Sequence, residues 1–256
     1  MIAARIDAFR QRLQRETADR VVRTQHGLAL LADAFPDVYD HNFLVVEGPA
    51  ASAAELAAEA DAALADRRHR RVIVEGGGAG LQGDFADLRY TLSTHLVLAH
   101  TREPDRLVDT GTIREVALDD LLPGRTEATL REPWGNREIA RQLNDAKRRV
   151  ADAVPTRFFA ATAGGEIAGW CELRVRDGVA QIEDVEVLQE QRGRGLGRAV
   201  VQRALEEGRR AAGLVFLEAL ADDWPRELYA KLGFTAVGRR DFYTRLLPVD
   251  ARGAVA

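Results

Sequence analysis

The stretch IEDVEVLQEQRGRGLGRAVV, Ile182 to Val201, places three glycines and three arginines between an apolar run typical of a strand and a run typical of a helix. A loop that only reverses the chain needs one or two glycines. Glycines at alternate positions, Gly193, Gly195 and Gly197, instead let another molecule approach the backbone closely. Apolar residues after the loop recur at helical spacing, so the loop lies at a helix N-terminus.

A helix N-terminus of this kind is a suitable anion site. Its first N–H groups have no partner within the helix, and the helix dipole adds partial positive charge. A diphosphate would meet no Cβ atoms at the glycines, and Arg192, Arg194 and Arg198 could neutralise it. A solvated, arginine-rich turn is the alternative. A dinucleotide fingerprint needs glycine at position 198 and a P-loop needs Gly-Lys-Ser or Gly-Lys-Thr, so neither motif fits.

Length and composition place the chain among globular proteins of one large or two modest domains. It has 256 residues, of which 46% are apolar and 30% charged, and its net charge of −4 argues against nucleic-acid binding. The single cysteine, Cys171, excludes an internal disulfide and a thiolate zinc site, and the histidines lack ligand spacing, so no metal is expected. No segment resembles a signal peptide or membrane span, so we expect a cytoplasmic location without a membrane partner.

The second half of the chain predicts a mixed α/β domain (α+β) with mainly antiparallel strands. TIREV begins a strand, and the run after Asn136, the expected helix cap, has helical spacing. RFFAAT and IAGWCELRV are strands on either side of the Gly164-Gly165 turn. Asp177-Gly178 is a hairpin signal that leads into the strand before the glycine loop.

The glycine loop and a second motif together resemble the GNAT superfamily of N-acetyltransferases. R-G-R-G-L-G, Arg192 to Gly197, is similar to that family's acyl-CoA pyrophosphate loop, and ELYAKLGF, Glu227 to Phe234, is similar to a recurrent signature of the family. The resemblance covers about Thr112 to Leu247. It implies the order strand, helix, three antiparallel strands, loop, helix, strand, helix and a final pair of strands. The expected fold is a GNAT-type mixed, mainly antiparallel sheet flanked by helices and preceded by a smaller α/β N-terminal domain.

The first half also alternates strands and helices. Strands are expected at 42–48, 70–76 and 91–100, and helices at 53–65 and near 84–89. This order repeats the later elements of the second half, so a degenerate GNAT-like domain is one interpretation. Its counterpart of the glycine loop, Gly48 to Ser52, contains a proline and no arginine, so we predict no second cofactor site. The polar segment Thr101 to Thr112 is the expected linker, which gives domains 1–108 and 109–256.

The strand before the glycine loop has an irregular pattern. Ile182, Val185 and Val187 cannot all face one side at strict alternation, which predicts a β-bulge near Val185 and Glu186. In the family that the chain resembles, such a bulge splays this strand from the next, here Leu214 to Leu220, and the pantetheine arm lies in the opening. The resemblance then implies that backbone groups at Val185 and Val187 pair with the arm and polarise the thioester carbonyl.

Acyl transfer to an amine needs a base for the ammonium and an acid for the leaving thiolate. Tyr229 matches the position where the family often places its general acid, and a core tyrosine is the alternative. Glu183 matches a glutamate implicated in polyamine-type acetyltransferases, and partial burial would raise its pKa. Asp184 and Glu186 are rival bases, and transfer without a dedicated base stays open.

The function that the resemblance implies is transfer of an acetyl group from acetyl-CoA to a primary amine of a small molecule or peptide, directly within a ternary complex. The alternative is a non-catalytic acyl-CoA-binding or regulatory protein. The first half would shape or cover the acceptor site or form a homodimer. Tyr229 and Glu183 are the catalytic candidates. The cofactor-binding candidates are Val185, Val187, Arg192, Gly193, Arg194, Gly195, Leu196, Gly197 and Arg198.

Overall fold

A computed structural model describes residues 2–48, 51–76 and 78–247 of the chain. Its contacts divide these residues into two compact units. The C-terminal unit comprises 2–11, 97–219 and 223–237. The N-terminal unit comprises 12–96, 220–222 and 238–247.

Both halves of the chain contain helices and strands, as the sequence predicts. The helices are α1 Ile2–Thr17, α2 Ala53–Ala63, α3 Gln82–Asp87, α4 Leu118–Arg131, α5 Arg137–Ala153, α6 Leu196–Ala211 and α7 Pro225–Lys231. The strands are β1 Arg20–Arg23, β2 Gly27–Leu31, β3 Phe43–Val46, β4 His69–Glu75, β5 Thr91–His100, β6 Arg114–Val116, β7 Thr156–Ala163, β8 Glu166–Arg176, β9 Val179–Val187, β10 Leu214–Leu220 and β11 Phe234–Leu246. Short 3-10 turns connect several of these elements.

The N-terminal unit has the strand order β1-β2-β3-β4-β11-β5. Its first three strands are antiparallel, whereas β3 and β4 are parallel and are joined by α2. A helical crossover is the usual way to connect parallel neighbours. The helix buries Leu56 and Leu64 against a core that includes Val72, Phe85 and Tyr243.

The C-terminal unit has the order β6-β7-β8-β9-β10-β5-β11. Strands β6 to β9 are antiparallel, and β9 and β10 are parallel and joined by α6. Asn136 caps α5 as predicted, because its side chain accepts the Ile139 N–H at 2.9 Å. Asp177 and Gly178 both have positive φ angles, 51° and 71°, in the predicted hairpin turn.

The two units repeat one order of elements. Each has antiparallel strands, a helical crossover to a parallel strand, and then a short helix: β3-α2-β4-α3 in one and β9-α6-β10-α7 in the other. Two strands contribute to both units. β5 supplies 91–96 to the N-terminal unit and 97–100 to the C-terminal unit, and β11 supplies 238–246 and 234–237 respectively.

The short helices confirm this correspondence residue by residue. FADLRY, Phe85 to Tyr90, has the same helix end as YAKLGF, Tyr229 to Phe234. The fifth residue of each stretch has a left-handed backbone, with φ of 64° at Arg89 and 91° at Gly233. The N-terminal half therefore repeats the element order of the second half, with Phe85 at the position of Tyr229.

Three features differ from the sequence predictions. The single helix predicted between TIREV and the three antiparallel strands is two helices, α4 and α5, because α4 forms despite an internal proline, Pro123. The hairpin of β1 and β2 was not predicted. The prediction of a final pair of strands is wrong, because β11 is one strand that no turn interrupts. Its neighbour in the C-terminal unit is β5, from earlier in the chain.

The compact units are not contiguous stretches of sequence. Residues 2–11 and 97–108, which the division at 108/109 assigns to the first domain, belong to the C-terminal unit. Arg10 of α1 pairs with Glu218 at 3.0 Å, and Phe9 packs edge-on against Phe216 at 5.6 Å. Pairing between segments distant in sequence has no local signal, so the linker composition could not reveal it. The division into domains 1–108 and 109–256 stays a prediction.

Candidate active site

A β-bulge in β9 shapes the site. The register between β8 and β9 shifts so that two residues, Asp184 and Val185, oppose Cys171 alone. Asp184 has a φ of 55°, in the left-handed region that a bulge can require. The predicted bulge is thus confirmed, one residue earlier than expected.

Beyond the bulge, β9 and β10 separate. Their parallel register covers only Val179–Gln181 and Leu214–Phe216, although the strands continue to Val187 and Leu220. On the other side of β9, the Leu188 N–H donates to the Ala168 carbonyl at 3.0 Å. Hydrogen-bonding groups alternate sides along a strand, so the N–H groups of Val187 and Val185 face the opening rather than β8.

The glycine loop leaves the N-terminus of α6 uncovered. Gly193 and Gly195 have φ angles of 78° and 79°, which favour glycine, and a Cβ atom at either position would meet no heavy atom within 4 Å. Gly195 is the N-cap and provides no side chain, and the first helical bond runs from the Ala199 N–H to the Gly195 carbonyl at 3.1 Å. Among the described residues, the N–H groups of 193–198 have no hydrogen-bond acceptor. They form an open anion site.

The three arginines of the loop have different surroundings. Arg194 is exposed and forms no ion pair with any described residue. Arg192 pairs with Glu186 at 3.1 Å and donates from Nε to the Val187 carbonyl at 3.0 Å. Arg198 is buried and pairs with Asp105 at 2.8 Å. The Arg198 guanidinium therefore anchors the 105–106 segment, and its backbone N–H is the group that faces the loop.

A cavity of about 690 Å³ adjoins the loop. Its lining includes the predicted residues Val185, Val187, Arg192, Gly193, Gly195, Leu196, Gly197, Arg198 and Tyr229. The sequence did not mark four further lining residues, Arg106, Asp223, Trp224 and Lys231. Trp224 precedes Pro225 at the start of α7, and proline is common in a first helical turn, so a helix-start signal could have located it. Arg106 lies in the expected linker, where no local signal exists.

Tyr229 lies at the cavity with its ring almost buried, at 7% exposure. Burial raises the pKa of its hydroxyl far above the usual value, and the nearby Glu183 adds to the rise. The hydroxyl is therefore protonated at neutral pH. No described residue forms a hydrogen bond with it, so the proton is available to a ligand.

Glu183 lies two residues before Val185 on β9. Burial raises the pKa of its carboxyl to about 7, although the charge of Arg174 opposes the rise. Gln181 Nε2 donates to Glu183 Oε2 at 2.7 Å, and no described lysine or arginine lies within ion-pairing distance. A carboxyl of this kind can exchange a proton near neutral pH.

The two rival bases are neutralised by cations. Asp184 forms an ion pair with Arg125 and accepts the Trp170 Nε1–H at 3.3 Å. Glu186 pairs with Arg192 at 3.1 Å. Of the three acids, Glu183 is thus the one with no ion pair to a described residue, and burial raises its pKa.

The described part of the chain contains no group of three or more histidine, cysteine, aspartate or glutamate side chains that could hold a metal ion. No helix within it has the length and apolar character needed to cross a bilayer.

Comparison with known proteins agrees with this site. Residues 119–234 match the family model described as Acetyltransferase (GNAT) family. A functionally unknown conserved protein from Staphylococcus epidermidis superposes with a TM-score of 0.67, at 16% identity over 90% of this chain and 94% of its own. A GCN5-related N-acetyltransferase from Kribbella flavida gives 0.62, at 20% identity over 98% of both chains.

A putative acetyltransferase from the GNAT family of Novosphingobium aromaticivorans gives a TM-score of 0.55, at 17% identity over 89% of this chain and 92% of its own. No curated protein matches the chain. At such identities the structural likeness shows the fold alone. The structural likeness shows that the chain has the GNAT-type fold, and the family model matches residues 119–234 of its C-terminal half. The match of these residues to an acetyltransferase model supports acyl transfer as the class of reaction.

Proposed function

We propose that the protein transfers an acetyl group from acetyl-CoA to a primary amine of a small molecule or peptide, directly within a ternary complex. The observation that carries the proposal is the set of N–H groups of residues 193–198, which have no acceptor in the described part of the chain. All of these residues except Arg194 line the cavity that Tyr229 also lines. A non-catalytic protein would need the anion site but not an unpartnered acid beside it.

The residues present fit acetyl-CoA as the acyl donor. A diphosphate suits the uncapped N-terminus of α6, where the glycines leave open space and Arg194 supplies a cation that pairs with no described residue. The N–H groups of Val185 and Val187 face the gap between β9 and β10, where they can pair with the pantetheine arm. Acetyl-CoA would supply an activated thioester. Its carbonyl needs an N–H donor, and the same gap offers one.

The chain's own groups then have the following roles. Glu183, half ionised near pH 7, accepts a proton from the ammonium of the acceptor and so frees its nitrogen lone pair. The new C–N bond forms as the C–S bond breaks. Tyr229, protonated at neutral pH, donates its proton to the leaving sulfur. The nitrogen loses two protons in all: Glu183 accepts the first, and the Tyr229 phenolate accepts the second after its own proton has gone to the sulfur. Glu183 then releases the first proton to solvent, so each turnover releases one proton.

The test is release of free thiol from acetyl-CoA over a panel of primary amines, with acetyl-CoA binding measured separately by calorimetry. We expect at least one amine to stimulate thiol release and to appear as its N-acetyl product by mass spectrometry. Binding without stimulation by any amine would favour the non-catalytic alternative. Absence of binding would exclude both the acetyltransferase and the non-catalytic acyl-CoA-binding protein.

The expectations about location, partners and the role of the first half stay predictions. They are a cytoplasmic location, the absence of nucleic-acid and membrane partners, and a role of the first half in covering the acceptor site or in forming a homodimer. Size-exclusion chromatography with light scattering would test the homodimer.

A further inference from the structure

We propose that Gln181 is a positioning residue: held in one orientation by Arg174, its side-chain amide orients the Glu183 carboxylate. The inference rests on the proposed function, because it assigns a partner to the proposed base. It concerns residues that the glycine-loop and tyrosine motifs do not include.

The side-chain geometry places Gln181 between a cation and the candidate base. Gln181 is 5% exposed; its Nε2 donates to Glu183 Oε2 at 2.7 Å, and its Oε1 accepts from Arg174 Nη1 at 3.3 Å. Arginine has only donors, so the amide oxygen must face Arg174 and the NH₂ group must face Glu183. The arginine thereby selects one of the two amide orientations.

Strand register produces this arrangement. Arg174 of β8 is directly opposite Gln181 of β9, and Glu172 of β8 is directly opposite Glu183. Residues two apart on a strand share a face, so the four side chains form a compact square on one face of the sheet. The bulge begins immediately after Glu183, and the square therefore ends where the cleft opens.

The two carboxylates of the square have different partners. Glu172 pairs directly with Arg174 and with Lys147 at 2.9 Å. Burial raises the pKa of Glu172, but the charges of Arg174 and Lys147 outweigh it and bring it to about 2. Glu172 is consequently a permanent anion, whereas Glu183 has a neutral amide where Glu172 has a cation.

Several charged groups face Glu183 from neighbouring elements. Arg174 and Lys147 favour its ionised form, whereas Glu218 of β10 and Glu172 disfavour it. Tyr229 of α7 is also close enough that the charge of Glu183 raises the pKa of its hydroxyl. Within this field the Gln181 amide donates the shorter of two hydrogen bonds to the carboxylate, at 2.7 Å against 3.4 Å for the Asp184 N–H, and both favour the ionised form without neutralising it.

Gln181→Met tests this role, because methionine keeps the volume and loses the donor. The pKa of Glu183 should rise by about one pH unit. At pH 7 kcat/KM should then fall about fivefold. It should recover to near the wild-type value at pH 9, where Glu183 is ionised in both the variant and the wild type. Gln181→Glu should raise the Glu183 pKa further, since it removes the donor and places a like charge beside the carboxylate.

The matched control is Gln142→Met, which removes another buried glutamine, one that donates to Glu138 at 2.9 Å. A ¹³C-detected NMR titration of the Glu183 carboxyl supplies a readout that requires no turnover, so the inference can be tested even if no amine is acetylated. A Glu183 pKa in both Gln181 variants within the range of the control would overturn the inference. So would a loss of kcat/KM that persists at pH 9, since only a packing defect behaves in that way.

Discussion

The two copies of the strand–helix–strand–helix element differ most at the start of their first helix. In the N-terminal unit, α2 begins with a capping box: Ser52 Oγ accepts the Glu55 N–H at 3.3 Å, and Glu55 Oε2 accepts the Ser52 N–H at 2.9 Å. In the C-terminal unit, α6 begins at Gly195 with no side-chain cap. One helix satisfies its own N–H groups and adds a carboxylate, and the other leaves them for an anion.

The N-terminal unit also lacks counterparts of the two catalytic candidates, Glu183 and Tyr229. Strand β3 is FLVV and carries no carboxylate, whereas β9 carries Glu183. Phe85, fully buried and stacked on Tyr243 at 4.1 Å, stands at the position of Tyr229. The prediction of no second cofactor site invoked a proline, Pro49, that lies outside the described residues. The capping box supplies a different physical basis for it.

The comparison teaches that the fold alone does not create the site. The same crossover supports either a closed helix start or an anion site, and a few residues decide which. Leaving a helix uncapped costs about 1 kcal/mol of stability. The C-terminal unit carries that cost at the helix whose N-terminus faces the cavity.

Tyr229→Phe gives the C-terminal unit the ring found in the N-terminal unit, and it should have the largest effect. We expect kcat to fall roughly 100-fold or more, because the proton donor to the thiolate is lost. Acetyl-CoA affinity should stay unchanged. The matched control, Tyr243→Phe, removes a buried hydroxyl that donates to the Gly78 carbonyl and should lower stability but not kcat. Equal kcat values in the Tyr229 variant and wild type would assign the ring to the core.

Glu183→Gln removes from β9 the carboxyl that has no counterpart on β3. The wild-type kcat/KM should rise with pH through about 7 as Glu183 ionises, and the variant should lose about 100-fold at pH 8 together with that limb of the profile. A variant profile that keeps the limb would show that another group is the base.

The same substitution tests the burial of Glu183 through stability. Its folded pKa of about 7 lies above the ordinary 4.5, so its contribution to stability is fully present below about 4.5 and is lost as pH rises to about 7. We therefore expect the free energy of unfolding of Glu183→Gln, measured by urea titration, to increase relative to that of wild type from pH 5 to pH 8. Identical pH dependence in the two proteins would contradict the raised pKa.

Gly197→Asp gives α6 an acidic residue in its first turn, as Glu55 does in α2. We expect acetyl-CoA affinity to fall about 30-fold, from charge repulsion of roughly 2 kcal/mol over about 8 Å at an effective dielectric of about 20. Stability should not fall, since an acid suits a helix N-terminus. Gly197→Ala is the control, because its Cβ would meet Val187 Cγ2 at an ordinary 3.6 Å. Calorimetry with both variants separates charge from volume, and equal affinities would place the diphosphate elsewhere.

Ser52→Ala opens the capped helix of the N-terminal unit and should have the smallest effect. The free energy of unfolding should fall by about 1 kcal/mol, because an N-cap hydrogen bond is lost. Acetyl-CoA affinity and kcat should not change. A gain of acetyl-CoA binding, measured as a second calorimetric site, would show that the cap alone had closed a cofactor site there.

Local patterns sufficed for much of the fold and for the glycine loop. The Asp177-Gly178 turn, the Asn136 cap and the bulge in β9 all follow from residues that act on their immediate neighbours. Helix α4 escaped prediction because Pro123 and Gly124 lie inside it and suggest a break. The partner strand of β11 escaped because pairing between distant segments leaves no trace in either segment.

The sequence by itself determined that a glycine-rich loop precedes a helix, because backbone geometry and periodicity are local properties, and its resemblance to the GNAT motifs indicated Tyr229 and Glu183. Only the tertiary structure decided that Arg198 pairs with Asp105 while Arg194 stays exposed, that Asp184 and Glu186 have cationic partners while Glu183 has none among the described residues, and that Gln181 contacts Glu183. The physical reason is that burial and charge pairing depend on distances across strands and helices, which residue order does not contain.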